Sequence, residues 1–295
     1  MMEYTVWHDE YKGDDSVNDY WHGILLLPKN KYAQLCEDLR AVREECGVEL
    51  DKDIKFAGSL NSVSRSRMLK IHLAVFLHML CVREDKVSTE LINPSLENKY
   101  KNGYKPFHVL EGLYGCKFVL LKIPGNHADM DKYELSYSDR VERTFRFAFK
   151  SAAHGLFDTD IQFINFYFDG HQHHGRNIDI QEITKGPWRE HIQFSPDLEI
   201  DDRQIDDRND DTKLVMNLVD NVLGALTAKI VGTPDERRAL SGLDELIDRV
   251  QNNQIITNKY SRWHKAVNMS QMFVEDDGFD FKDIFHYPEQ TTLGF

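Results

Sequence analysis

The stretch YTVWHDEYKGDD, residues 4–15, begins with residues typical of a strand and continues with charged residues. Its first residues, Tyr4–Trp7, combine aromatic and β-branched side chains, which favour an extended strand. Two adjacent carboxylates, Asp9 and Glu10, follow almost at once. If the strand lies inside a sheet, these carboxylates enter the centre of the fold, whereas in a turn they are ordinary solvated acids. The two interpretations differ in whether other acids reach the same place.

The surrounding sequence predicts that this strand belongs to a mixed sheet. A second apolar run, YWHGILLLP at residues 20–28, follows a polar loop and completes a hairpin. Later segments alternate between helical spacing and compact strand-like runs, which favours an α/β domain with a mixed sheet flanked by helices. The predicted helices cover about 29–46, 61–82, 137–153, 211–231 and 235–251, and further strands or extended segments cover about 52–59, 116–124, 160–170 and 191–200.

Composition is that of an ordinary soluble protein. The 295 residues are 41% hydrophobic and 29% charged, enough apolar material for one large domain or two modest ones. We expect no membrane span and no signal peptide, because no apolar run approaches about 20 residues and the N-terminus lacks a basic region followed by an apolar one. The four cysteines lack CxxC spacing and are predicted to be reduced and mostly buried, as in a cytoplasmic protein.

The net charge restricts the class of partner. The chain has 49 acids against 36 lysines and arginines, a net charge of -13. A protein this acidic repels phosphates over most of its surface and is not expected to bind nucleic acid through its general electrostatic field. Two interpretations remain: some acids bind metal cations that offset their charge locally, or the partner is not a nucleic acid.

The segment DDTKLVMNLVDNVLGALTAKI, residues 210–230, contains the most informative acid. Asn217, Asp220 and Gly224 lie three and four residues apart and therefore share one face of the predicted helix. The helix is apolar on nearly every other side, which predicts burial. Because a buried carboxylate needs a compensating group, Asp220 is expected to face a cation, an arginine or lysine, or a water-filled cleft.

Two more charged residues are candidates for the same site. Asp169 ends the strand FINFYFD, although a single acid there is also typical of a turn. Lys55 lies in DKDIKFAGS, residues 51–59, and either orients a phosphate, pairs with an acid or is an ordinary surface lysine. The charge run RQIDDRNDD is typical of a solvated loop, but it leads into the Asp220 helix, so Asp207 or Asp211 could reach the site.

A histidine cluster follows Asp169 directly. His171, His173 and His174 lie in FDGHQHHGR, and imidazoles beside a carboxylate can bind zinc or supply a general base. The two glycines mark a loop and there is no HExxH frame, so a surface loop with ordinary histidines is the simpler interpretation. A His/Asp metallohydrolase centred on residues 169–174 is a further hypothesis, in which Asp9 is unimportant.

Four short motifs in this order resemble domain-of-unknown-function family 3800. They are Asp9–Glu10 in the first strand, IKF at residues 54–56, the strand ending in Asp169, and MNLVDNVLGA at residues 216–225. The family pattern has a DES-type first strand, an [E/D]-[I/L]-K-[F/W]-S segment and a late helix similar to LQLADLLAGA. The resemblance spans nearly the whole chain and implies an RNase H-like fold.

That resemblance implies a metal site. Asp9, Asp169 and Asp220 would be ligands of Mg²⁺ or Mn²⁺, with Glu10 as a possible fourth ligand and Lys55 orienting a phosphate or a ligand. Two such ions, roughly 4 Å apart, would activate a water and stabilise the leaving oxygen of a phosphodiester. The expected function is a divalent-metal-dependent nuclease or phosphodiester hydrolase. Its acidic charge favours a protein partner or a homo-oligomer, with bacterial or phage-related genome defence as one setting.

The departures from the family pattern support a rival hypothesis. Tyr11 replaces a serine, the serine after Phe56 is displaced to Ser59, and Asn217 replaces a glutamine. The rival is a non-catalytic interaction module that keeps the fold and binds a protein partner.

The expected domain organisation is an RNase H-like domain at residues 1–272, with an insertion at 84–115, and an acidic aromatic tail. This tail, Phe273–Phe295, is expected to pack on the domain or on a second copy through Phe279, Phe281, Phe285 and Tyr287.

Overall fold

The fold is an α/β sheet flanked by helices, as the sequence predicts. The computed structural model describes residues 1–12, 19–50, 52, 54–56, 63–80, 116–123, 137–169, 180–203, 207–244, 246–247, 267–275 and 278–284. The strands are β1 (Met2–Lys12), β2 (Tyr20–Pro28), β3 (Lys117–Ile123), β4 (Ile161–Phe168), β5 (Ile192–Asp201), β6 (Val267–Glu275) and β7 (Gly278–Asp283). The helices are α1 (Tyr32–Cys46), α2 (Val63–Leu80), α3 (Tyr137–Leu156), α4 (Ile180–Thr184), α5 (Asp210–Val231) and α6 (Pro234–Ala239).

The strands form one mixed sheet in the order β5-β4-β1-β2-β3-β6-β7. Strands β1, β2 and β3 are antiparallel neighbours, and the pairing of β1 with β2 confirms the predicted hairpin. Strands β4 and β5 run parallel to β1 on one side, and β6 runs parallel to β3 on the other, with β7 antiparallel at the edge. The first strand therefore lies in the interior of the sheet, and so do the acids that end its apolar run.

Helices cover both faces of the sheet because side chains alternate along each strand. Trp7 and its neighbours on one face pack in a core with α1, α2 and α5. Val6 and its neighbours on the other face pack in a second core with α3, around Phe149. Asp9, two residues after Trp7, is consequently on the face that carries α5.

Helix α5 is the central helix of the first core. Its N-terminus is capped by Asn209, whose side chain accepts a hydrogen bond from the backbone nitrogen of Thr212. By length and composition α5 could cross a membrane, but 78% of its most apolar 18-residue window is buried inside the protein. A long apolar helix that is buried in this way is a core helix of the fold.

Two predicted elements differ from the structure. The helix expected at 235–251 is interrupted, because α6 ends at Ala239 and a short 3-10 turn follows at Ser241–Leu243. A serine and a glycine, both poor helix formers, occupy that turn. The extended segment expected at 52–59 is not paired into the sheet at residues 54–56. It is held by α5 instead.

The C-terminal region adds strands to the sheet. The expected tail starts at Phe273, which lies within β6, and β7 pairs with β6 through residue 283. Ile284 packs against the α5 core. Residues 285–295, with Phe285 and Tyr287, and the expected insertion at 84–115 lie outside the described residues. Cys36, Cys46 and Cys116 are buried free thiols, as predicted.

Candidate carboxylate site

Asp9 lies in the interior strand with its carboxylate under α5. It is only 3% exposed, and its Oδ1 accepts a hydrogen bond from the backbone nitrogen of Glu10 at 2.8 Å. Its partner across the hairpin is Gly23. A Cβ at Gly23 would come within 3.0 Å of the Leu223 side chain, so this glycine lets α5 approach the sheet beside Asp9.

Asp169 lies beside Asp9 because β4 runs parallel to β1. Its backbone nitrogen donates to the carbonyl oxygen of His8 at 3.3 Å, which continues the ladder between the two strands. The preceding residue, Phe168, packs in the α3 core, so alternation directs the Asp169 side chain towards α5. The Nζ of Lys55 lies 4.0 Å from Oδ2 of Asp169.

Asp220 comes to the same place from α5. It is half-buried, and its Oδ2 accepts a hydrogen bond from the backbone nitrogen of Phe56 at 2.7 Å. Burial raises the pKa of Asp9 well above its ordinary value, and the negative charges of Asp220, Asp169 and Glu10 raise it further. The three aspartates that the sequence singled out therefore interact electrostatically.

Helix α5 also clamps the extended segment that carries Lys55. The backbone nitrogen of Ile54 donates to Asn217 Oδ1 at 2.6 Å, and Asn221 Nδ2 donates to the Ile54 carbonyl oxygen at 2.8 Å. With the bond from Phe56 to Asp220, three polar side chains of one helix face hold the backbone of Ile54 and of Phe56, the residues on either side of Lys55.

Gly224 completes this clamp. A Cβ at this position would lie 2.4 Å from Cγ of Phe56, so only a glycine lets the phenyl ring pack against the helix. The sequence placed Asn217, Asp220 and Gly224 on one face correctly. It did not show that this face binds a backbone segment as well as presenting a carboxylate.

The site has more negative than positive charge. Asp9, Asp169 and Asp220 are on the α5 side of the sheet, whereas Glu10 adds its negative charge from the opposite face of β1, where its cross-strand partner His22 contacts Thr144 of α3. The charge of Lys55 lies close to Asp169. A second cation, Arg208, is buried near Asp169. Burial lowers the pKa of Arg208, and the negative charge of Asp169 opposes this effect in part. Among these described residues the carboxylates outnumber the cations, and Arg208 is shared with a further carboxylate, that of Asp201, at 3.9 Å. The site therefore has an excess of negative charge.

Carboxylate oxygens are the ligands that Mg²⁺ and Mn²⁺ prefer, so the chemistry of this donor set fits such an ion. Within the described ranges, however, no three histidine, cysteine, aspartate or glutamate side chains are close enough to share one ion. Asp9 and Asp220 each accept a backbone N–H, and Asp169 faces Lys55. Shared coordination would need these side chains to turn from their present partners towards one another.

The other candidate residues lie apart from this cluster or outside the described residues. Asp207 is exposed, and Asp211 forms an ion pair with Arg40 of α1. Tyr11 is exposed on β1. Outside the described residues are Asp53, the acid directly before the IKF motif, and Ser59, His171, His173 and His174.

A cavity of about 500 Å³ opens on the α5 face of the sheet. Two tyrosines line it, Tyr32 and Tyr167, and both rings stack on the buried Trp7. Tyr167 lies two residues before Asp169 on the same face, which places the two about 7 Å apart along the strand. The cavity is also lined by Asn165, Phe166, Glu199, Ile200, Asp201, Asp202, Arg203, Asn209 and Thr212.

Comparisons of this chain with protein-family models, with curated proteins and with solved structures give no match. The resemblance to domain-of-unknown-function family 3800 therefore stays a hypothesis that rests on the four motifs.

Proposed function

We propose that this protein is a divalent-metal-dependent nuclease or phosphodiester hydrolase, with Asp9, Asp169 and Asp220 as ligands of Mg²⁺ or Mn²⁺. The observation that carries the proposal is that three aspartates, from β1, the end of β4 and α5, lie near enough for the charges of two of them to act on the third, Asp9. Burial raises the pKa of Asp9, and the negative charges of Asp220 and Asp169 raise it further, so negative charge is concentrated at this place. The positive charge of a divalent cation would offset this excess of negative charge.

The strand arrangement supports an RNase H-like core within this proposal. Strands β3, β2 and β1 are antiparallel neighbours, and β4 and β5 continue the sheet parallel to β1. This is the order and direction expected of such a core, in which an aspartate of the first strand meets acids from later elements. Strands β6 and β7 would then be an extension at the β3 edge.

The ion, Lys55 and a partner protein would each have a separate role in the proposed reaction. A bound ion would activate a water and stabilise the leaving oxygen of a phosphodiester. Lys55, with 43% of its side chain exposed, would bind the phosphate and bring it to the aspartates. Because the net charge of -13 repels phosphates elsewhere, a partner protein would supply the basic surface for a long nucleic acid.

The direct test is cleavage of labelled single- and double-stranded DNA and RNA with Mg²⁺ or Mn²⁺. We expect wild type to cleave at least one of them, and EDTA or Asp9→Asn to abolish cleavage. Asp235→Asn is the matched control, because Asp235 is an exposed acid of α6 with 91% of its side chain accessible. Equal cleavage by Asp9→Asn and wild type would refute the assignment.

A second variant tests the role of Lys55. Lys55→Met should leave stability nearly unchanged, since the side chain is exposed and its ion pair is long. It should lower cleavage at limiting substrate. A wild-type protein that binds Mn²⁺ but cleaves none of the four substrates would instead favour the non-catalytic interaction module.

A further inference from the structure

Arg208 is a buried arginine next to the carboxylate site. It lies in the turn between β5 and α5, within the charge run that the sequence predicted to be a solvated loop, yet its side chain is completely buried. Its Nη2 donates to three backbone carbonyl oxygens: that of Phe168, that of Arg203 at 2.7 Å and that of Asp201 at 3.3 Å. Its Nε lies 3.9 Å from Oδ1 of Asp201.

These bonds fix the peptide unit that precedes the Asp169 side chain. Arg208 holds the carbonyl of Phe168, and the nitrogen of the same peptide unit, that of Asp169, donates to the His8 carbonyl at 3.3 Å. Both polar atoms of the Phe168–Asp169 peptide are therefore bound, one from the β5–α5 turn and one from β1. Asp169 directly follows the last residue of β4, so the bond from Arg208 adds to the strand pairing that directs its side chain.

The burial of the Arg208 guanidinium carries a free-energy penalty. Taking a charge out of water carries a large penalty unless hydrogen bonds and opposite charges compensate it. Two guanidinium nitrogens of Arg208, Nε and Nη1, make no hydrogen bond to the described residues. The compensation that remains comes from the carboxylates of Asp201 and Asp169, which raise the arginine's pKa while burial lowers it.

We infer that Arg208 is a positioning residue, which fixes the Phe168–Asp169 peptide and so directs the Asp169 carboxylate towards Asp9. Arginine suits this task because its guanidinium is planar, rigid and always charged, whereas a lysine carries its ammonium on a flexible stem and loses its charge more readily when it is buried. The inference rests on the proposed metal site, since its consequence is a preorganised ligand for the ion. Arg203 differs: it binds the Asp201 carboxylate from the solvent side, with 61% of its side chain exposed.

The test compares Arg208→Lys and Arg208→Met with Arg203→Met as the matched control. Mn²⁺ binding is measured by titration of the purified protein without nucleic acid. Residues that support metal ligands typically change affinity by about 10–100-fold when mutated. We expect a loss in that range for Arg208→Met, a smaller loss for Arg208→Lys, and wild-type affinity for Arg203→Met.

A measurement without metal separates this inference from the proposed function. Amide hydrogen exchange at Asp169 should become on the order of tenfold faster in Arg208→Lys, because its peptide opens locally, while exchange at Phe163 stays unchanged. A wild type that binds no Mn²⁺ would refute the metal site, and the exchange data would still test Arg208.

Unchanged Mn²⁺ affinity and unchanged exchange at Asp169 in a folded Arg208→Lys would overturn the inference. So would a failure of Arg208→Lys to fold, because Arg208 would then support the whole domain rather than Asp169.

Discussion

Replacing Asp9 by asparagine should make the metal-free protein more stable at neutral pH. In the native state burial raises the pKa of Asp9, and so do Asp220, Asp169 and Glu10. In the unfolded chain the same group has a pKa near 3.9. The native state therefore holds this proton more tightly, and its stabilising effect is complete below about pH 4 and is lost as pH rises through the native pKa.

The size of the effect follows from this linkage. Where only the native state keeps the proton, the free energy of unfolding falls by about 1.4 kcal/mol per pH unit. Asp9→Asn removes that fall while its side-chain oxygen can still accept from the backbone nitrogen of Glu10. The stability difference between variant and wild type should therefore grow steadily from pH 4 upward. It should level off once Asp9 has ionised in the native wild type.

The assay is urea unfolding of both proteins at several pH values between 4 and 8, with EDTA to exclude divalent cations. Asp38, whose pKa is raised to about 7 by burial and by Glu37, changes stability in the same direction. It is present in both proteins, so the difference between them isolates Asp9. A difference that does not change with pH, or that favours wild type increasingly as pH rises, would refute the electrostatic reasoning.

Two further predictions concern the clamp on α5. Gly224→Ala should lower the free energy of unfolding by about 1–3 kcal/mol, because the new Cβ would lie 2.4 Å from Phe56 Cγ; Gly155→Ala, with no atom within 4 Å of its new Cβ, should be neutral or stabilising. Asn221→Ala should cost about 1–3 kcal/mol, because it leaves the Ile54 carbonyl without the donor that it has at 2.8 Å. Chemical denaturation measures all three, and equal stabilities for Gly224→Ala and Gly155→Ala would contradict the packing argument.

Most of the sheet and its helices could be predicted from the sequence because their signals are local. The hairpin of β1 and β2 is encoded in two apolar runs around a polar loop, and α5 in apolar residues at helical spacing. The position of Asp220 on a buried helix face also followed from spacing alone. Its need for a compensating group is met in part by the backbone nitrogen of Phe56, which is neither the charged partner nor the cation that the sequence suggested.

The parts that could not be predicted depend on contacts between distant segments. Residues 54–56 look like a strand, but the side chains of Asn217 and Asn221 bind their backbone in place of a neighbouring strand. Arg208 lies among acids and looks solvated, yet it is buried because carbonyls of β4 and β5 accept its hydrogen bonds. Neither the contacts of residues 54–56 nor those of Arg208 produce a periodic pattern in the sequence.

The most direct test of the central claim is Mn²⁺ binding to wild type and to Asp220→Asn. An asparagine can still accept the hydrogen bond from Phe56, so the variant keeps the clamp and removes only the charge. We predict that wild type binds Mn²⁺ and that Asp220→Asn binds it at least about tenfold more weakly, while its stability in EDTA is unchanged or higher. Equal affinity of the two proteins for Mn²⁺, or no binding by wild type, would contradict the claim that these carboxylates form a divalent-cation site.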